Sequence, residues 1–244
     1  MRHVEHVMGT AVSFDVRGNG MTGLGLRRAC RTLHRADDVF STWRDDTPIS
    51  RLRRGEISVV EAPPEVATVL ALCEQAKLLS GGWFDPWAMP GGVDPTGLVK
   101  GWAAQRAAER LQAAGASAAI VNAAGDVVTF GEPEPGRPWR VGIRDPFAPE
   151  RIDCVVEVRG AVATSAAYER GEHVLDPHTR RPARAALSAT VTGPDLALAD
   201  ALATGLLAAG PEGLESIEGV DGYEALLVEV DGRRRTSGGF VSAA

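Results

Sequence analysis

An aspartate interrupts the most apolar stretch of the chain. Residues 194–210 are almost all Ala and Leu, yet Asp200 stands in their middle, with Thr204 four residues on. In a helix that spacing puts the carboxylate and the hydroxyl on one face. A carboxylate in an apolar interior must meet a cation or several donors. Taken alone, the helix leaves two readings open. One is structural, an ion pair with an arginine or water reached at a helix edge; the other is a metal site, where oxygen donors favour a hard cation such as Mg²⁺. Four loops concentrate further chemistry. Trp83, Phe84 and Asp85 follow two glycines, and glycines beside aromatics suit a flat ring that approaches backbone closely. Close behind, in the same first loop region, Asp94 to Gly101 carries Lys100, expected in the first turn of a helix, where an ammonium and free N–H groups meet phosphate. Thr164 and Ser165 end a strand and can offer hydroxyls; Asn122 to Asp126 reads as a glycine turn. Residues 172–182 hold His173, a candidate general base near neutral pH, and His178, read as structural.

The elements that must position these groups can be read from periodicity. Val7 to Val16 alternates as a strand, and residues 22–40 carry a helical apolar period at Leu26, Ala29, Leu33, Ala36 and Phe40. Residues 41–50 are turn-rich. Pro63 and Pro64 open a second helix that ends near Gly81, and a third runs from about Leu98 to Ala114. Strands are expected at 118–122, 127–129, 139–143, 154–158, 161–164, 187–192 and 223–230. The acidic helix falls late, with Pro194 in its first turn, Asp195 at its positive end and Gly210 as its stop. This order predicts an α+β domain spanning 1–244, not a regular βαβ winding.

Composition excludes several function classes. The chain has 244 residues, a net charge of −6 and no basic run longer than Arg233 to Arg235, so no nucleic-acid partner is expected. Its three cysteines are widely spaced in apolar patterns and read as reduced thiols, not a disulfide frame or a zinc site. No apolar run is long enough to span a bilayer, no membrane anchor is expected, and a cytoplasmic location is the expectation.

In order along the chain, these pieces resemble the ApbE-type FAD:protein FMN transferases. The matching segments are 8–10, 40–44 with 49–51, 82–86, 94–101, 122–126, 163–165, 173–177 and 200–204. The resemblance implies a T-fold-like α+β architecture of mixed or antiparallel sheets with packed helices, and a cleft between two parts that binds FAD. It implies transfer of FMN from FAD to a Thr or Ser hydroxyl of a separate target flavoprotein, with release of AMP and a requirement for Mg²⁺. The implied metal ligands are Asp200, Thr204 and a backbone oxygen at Gly97. Implied flavin and adenine contacts are Met8, Trp83, Phe84, Asp85, Asp94, Lys100 and Val174, with Trp43 stacking on a ring. His173 matches a position that assists catalysis. The chain departs from the family pattern at Pro95, at Ala123 and Ala124, and at Ala166. A Mg²⁺-dependent FAD pyrophosphatase and a non-catalytic FAD binder share the same contacts and stand as alternatives.

Overall fold

A computed structural model of the chain describes residues 1–18, 22–166 and 174–242. Among these residues, eight strands form one sheet in the order β1-β2-β3-β4-β7-β10-β11-β12, and every pairing is antiparallel. The strands are β1 (Arg2–Val7), β2 (Thr10–Arg17), β3 (Ala118–Ala123), β4 (Asp126–Phe130), β7 (Ala161–Ala166), β10 (Ala186–Gly193), β11 (Glu224–Glu229) and β12 (Arg234–Thr236). A hairpin of β5 (Trp139–Asp145) and β6 (Ala148–Val158) and a short pair of β8 (Leu175–Asp176) and β9 (Arg181–Pro182) stand outside it. The sheet is therefore antiparallel throughout, not mixed.

One face of the sheet is buried by helices. These are α1 (Thr22–Phe40), α2 (Pro48–Arg53), α3 (Pro64–Leu79), α4 (Thr96–Ala113), α5 (Leu196–Ala209) and the short α6 (Leu214–Glu218). The apolar period of α1 does what it predicts: Ala29, Leu33, Ala36 and Phe40 are buried in the main core. The opposite sheet face is covered locally by the β5–β6 hairpin, where Ile143, Val156 and Val158 pack on Val127, Val162 and Leu226. No helix among the described residues is long and apolar enough to cross a membrane.

Four sequence expectations change. The single strand over 7–16 is two strands, because Val7 pairs with Thr10 and the chain reverses at Met8 and Gly9. Both have positive φ, 54° and 68°, the twist of a two-residue hairpin loop. The turn-rich segment 41–50 begins α2, with Pro48 in the first turn and Thr47 as the N-cap, its hydroxyl accepting from Ser50 N at 3.2 Å. The third helix starts at Thr96, two residues early, so Lys100 lies beyond the first turn and its own N–H is not at the helix end. Pro194 likewise sits outside α5; Asp195 is the N-cap, accepting from Leu198 N at 3.0 Å.

Helix α5 is buried on nearly all sides, against α3, α4, β7 and β10. Its approach to α4 depends on Gly101. A Cβ there would lie 2.4 Å from the Leu196 carbonyl oxygen and 2.9 Å from the Asp200 Cβ. Gly101→Ala is therefore expected to push the two helices apart and to destabilise the fold by about 2 kcal/mol, within the range for overpacked cores. Urea denaturation of the variant and the parent checks this; equal midpoints would show that the helices have slack.

Candidate active site

The chain turns out of α3 through Gly81 and Gly82, whose φ values of 63° and 88° only glycine adopts readily. Ser80 fastens the turn: its hydroxyl donates to the Lys77 carbonyl at 3.1 Å and accepts from Phe84 N at 3.0 Å. This aims Trp83 and Phe84 at the start of α4. On the far side, α5 places Asp200 and Thr204 on one face, and the end of β7 brings Thr164 and Ser165. Between them lies a cavity of about 200 Å³, bounded also by Asp85, Met89, Asp94, Gly97, Lys100, Ala124 and Val174.

Its floor is polar and tightly bonded. Asp200 is 4% exposed, and its Oδ2 accepts from Gly101 N at 3.0 Å. Lys100 Nζ lies 3.5 Å from the same oxygen and is ion-paired with Asp126, which is 1% exposed. The other oxygen of Asp126 accepts from Thr164 N at 3.0 Å. One ammonium thus links α4, α5 and the β3–β4 turn. Thr204 Oγ1 and Ser165 Oγ are 3.1 Å apart. Gly97 is pressed between neighbours; a Cβ there would meet Phe84 at 3.1 Å and the Thr204 side chain at 3.6 Å.

The rim is held by further pairs. Asp94 Oδ1 accepts from Thr96 N at 3.0 Å and from the Thr96 hydroxyl at 2.7 Å, while Arg53 reaches its other oxygen at 3.4 Å. Asp85 pairs with Lys77 at 2.9 Å and accepts from Trp87 N at 3.0 Å. Trp83 meets His178 edge-on, with ring centroids 4.5 Å apart. His178 is set by a turn in which Asp176 accepts from His178 N at 2.8 Å and from the Thr179 hydroxyl at 2.8 Å. Burial works against the charged form of Asp176, but those hydrogen bonds outweigh it and hold the carboxyl below its ordinary range.

The cavity brings together most residues singled out by sequence: Trp83, Phe84, Asp85, Asp94, Gly97, Lys100, Thr164, Ser165, Val174, Asp200 and Thr204. It does not bring Met8 or Trp43. Met8 is a hairpin-turn residue half-buried against the main core, and Trp43 is 94% exposed on the loop before α2. His173 lies outside the described residues; its chain neighbour Val174 lines the cavity. Asp126 and Arg53 were missed as site residues. The first was hidden in an ordinary glycine turn, and the second is one arginine among many near-identical neighbours. A hard divalent cation fits the donor set, since a buried carboxylate and a hydroxyl on one helix face oppose a backbone that a glycine lets come close.

The family model described as the ApbE family matches residues 8–92 and 88–227. The chain belongs to the ApbE family. A FAD:protein FMN transferase of Rhodobacter capsulatus is 39% identical over 144 residues, covering 55% of this chain and 27% of that protein. One from Escherichia coli K12 is 32% identical over 151 residues, covering 57% of this chain and 43% of that protein. The matched region thus spans less than half the length of these curated relatives. Among solved structures, the flavin transferase ApbE from Vibrio cholerae superposes with a TM-score of 0.86 at 22% identity, over 98% of this chain and 97% of that one. The ApbE protein from Thermotoga maritima gives 0.83 at 23% identity, over 98% and 97%. The architecture is therefore the ApbE fold.

The Lys100–Asp126 pair should carry much of the site's rigidity. Removing one member of a buried pair leaves the other uncompensated. Asp126→Ala is expected to destabilise the ApbE fold by about 3 kcal/mol, the low end for such changes because Lys100 keeps some contact with water. Chemical denaturation checks it; a cost below about 1 kcal/mol would mark the pair as an ordinary surface contact.

Proposed function

We propose that this chain is a flavin transferase that moves FMN from FAD to a Thr or Ser hydroxyl of a separate protein and releases AMP, with Mg²⁺ required. The observation that carries this reading is the convergence of Asp200, Thr204 and Gly97 with Lys100 in one cavity walled by Trp83 and Phe84, in a family whose named relatives are FAD:protein FMN transferases. Trp83 and Phe84 supply flat apolar surface for a flavin ring. Lys100 and the hydroxyls of Ser165 and Thr204 line the space that a pyrophosphate would take, where prearranged charge and donors would meet its oxygens. Mg²⁺ held by Asp200, Thr204 and the Gly97 carbonyl would supply neutralisation of the pyrophosphate oxygens.

In the transfer, the acceptor hydroxyl oxygen forms a bond to the FMN phosphorus, and the bond from that phosphorus to the AMP oxygen breaks. The hydroxyl proton needs a base. His173 is our proposed acceptor, for its place in the sequence beside a cavity residue. Asp94, held by Arg53 and Thr96, would orient the adenine or flavin end by accepting an N–H.

Incubation with FAD, Mg²⁺ and an acceptor flavoprotein domain, read by mass spectrometry, tests the reading. An adduct of one FMN on the acceptor, with AMP released, is expected. Production of FMN and AMP with no adduct would instead make the chain an FAD pyrophosphatase, and FAD retained without turnover would make it a binder. Asp200→Asn keeps the shape of the side chain and removes its charge. It is expected to retain the fold by circular dichroism and to lose Mg²⁺-dependent AMP release by about 100-fold or more. Full activity in that variant would return Asp200 to a structural ion pair.

A further inference from the structure

A second cluster of ligating side chains lies between the edge strand β1 and helix α1, and none of its members lines the cavity. Strand alternation puts His3 and Glu5 on the inward-leaning face of β1, while Arg2, Val4 and His6 are exposed on the other. On α1, Cys30 and His34 stand four residues apart on one stripe. One ligand atom from each of His3, Glu5 and Cys30 lies within 4.8 Å of the other two. His3 Nε2 is 2.9 Å from one Glu5 oxygen, and His34 Nε2 is 2.8 Å from the other. The cluster is half-buried: the His3 and Glu5 side chains are 37% and 24% exposed. It is neither sealed in the core nor splayed into solvent.

We propose that His3, Glu5 and Cys30 form a binding site for a zinc-class transition-metal ion, with His34 holding the Glu5 carboxylate in place. The donor set argues for that class. Imidazole, thiolate and carboxylate together select zinc and its neighbours, whereas Mg²⁺ avoids sulfur. With metal–ligand bonds of about 2.0–2.3 Å, ligand atoms in a tetrahedral site sit roughly 3.5 Å apart. The three side chains need move only by tenths of an ångström to about an ångström to reach that spacing. Bonds form from the ion to the His3 nitrogen, the Glu5 oxygen and the Cys30 sulfur; the thiol proton is released to solvent, and a water completes the shell. His34, bonded to the oxygen that does not ligate, fixes the carboxylate orientation in the way that outer hydrogen bonds tune metal sites. The ion would tie the edge strand to the helix across 25 residues of chain, from Glu5 to Cys30.

Cobalt(II) titration of the chelator-treated full chain tests this, since a cobalt–thiolate bond absorbs in the near ultraviolet. A charge-transfer band that saturates at about one cobalt per chain, bleaches on addition of zinc and is lost in Cys30→Ser is expected. His34→Ala should weaken binding by about 10- to 100-fold without abolishing the band. Zinc should raise the melting temperature of the parent and leave that of Glu5→Gln unmoved. Glu5→Gln keeps the side-chain shape and serves as the test if Cys30→Ser does not fold. A band that survives in Cys30→Ser, cobalt affinity unchanged in Glu5→Gln, or no band in the parent would each overturn the proposal. Flavin transfer from FAD by Cys30→Ser, expected at the parental level, separates this site from the cavity.

Discussion

The structure depends on burying a carboxylate inside its most apolar helix. Asp200 is tolerated there because α4 brings it a backbone N–H from Gly101 and the ammonium of Lys100, and Lys100 in turn is anchored by Asp126. Neither contact to Asp200 is possible unless the two helices nearly touch. Gly101 permits the approach to the Leu196 carbonyl, Gly97 permits it near Thr204, and Gly205 does the same where α5 passes the Phe84 backbone. The alanines of α5 complete the arrangement, since larger side chains would hold the helix off the sheet. Packing and chemistry are thus one constraint: the residues that make α5 thin are those that let its polar face form a site wall.

That constraint explains how the remaining elements are disposed. The sheet offers α5 the ends of β7 and β10, and the Ser165 and Thr204 hydroxyls meet across that contact. The β3–β4 turn is closed by Ala124 and Gly125, both at positive φ, so Asp126 begins its strand directly beneath Lys100. On the opposite rim, the glycine pair after α3 turns Trp83 and Phe84 inward. The walls other than α5 and α4 come from short loops at the ends of rigid elements, which suits a site that must hold charge in fixed positions.

Much of this was legible in the sequence, and for identifiable reasons. Helices α1, α3 and α5 announce themselves through apolar period, proline starts and glycine stops, and Asp200 stands out by breaking its own pattern. The β1–β2 hairpin was hidden because Met8 does not advertise a positive φ as Asn or Gly does. Asp126 and Arg53 were illegible for another reason. Their roles are defined by partners across space, Lys100 and Asp94, and no local spacing encodes an ion pair between distant segments. Trp43 stands apart: it is an aromatic in a matching segment that the fold leaves almost wholly in solvent. The pairing of His3 and Glu5 with Cys30 is likewise tertiary, since nothing in two distant segments specifies that a strand and a helix will face each other there.

The hydrogen bond from Gly101 to Asp200 joins residues 99 positions apart, and the Gln105 side chain accepts from Leu196 N across 91. Contacts of that span cost loop entropy before they repay it, so they are slower to form than local turns. The cavity therefore has no local precursor. With α4 and α5 apart, the aspartate is exposed and there is no place for a ligand. Competence to bind arrives with that long-range closure, and a ligand seated across it would act as a clasp on the fold.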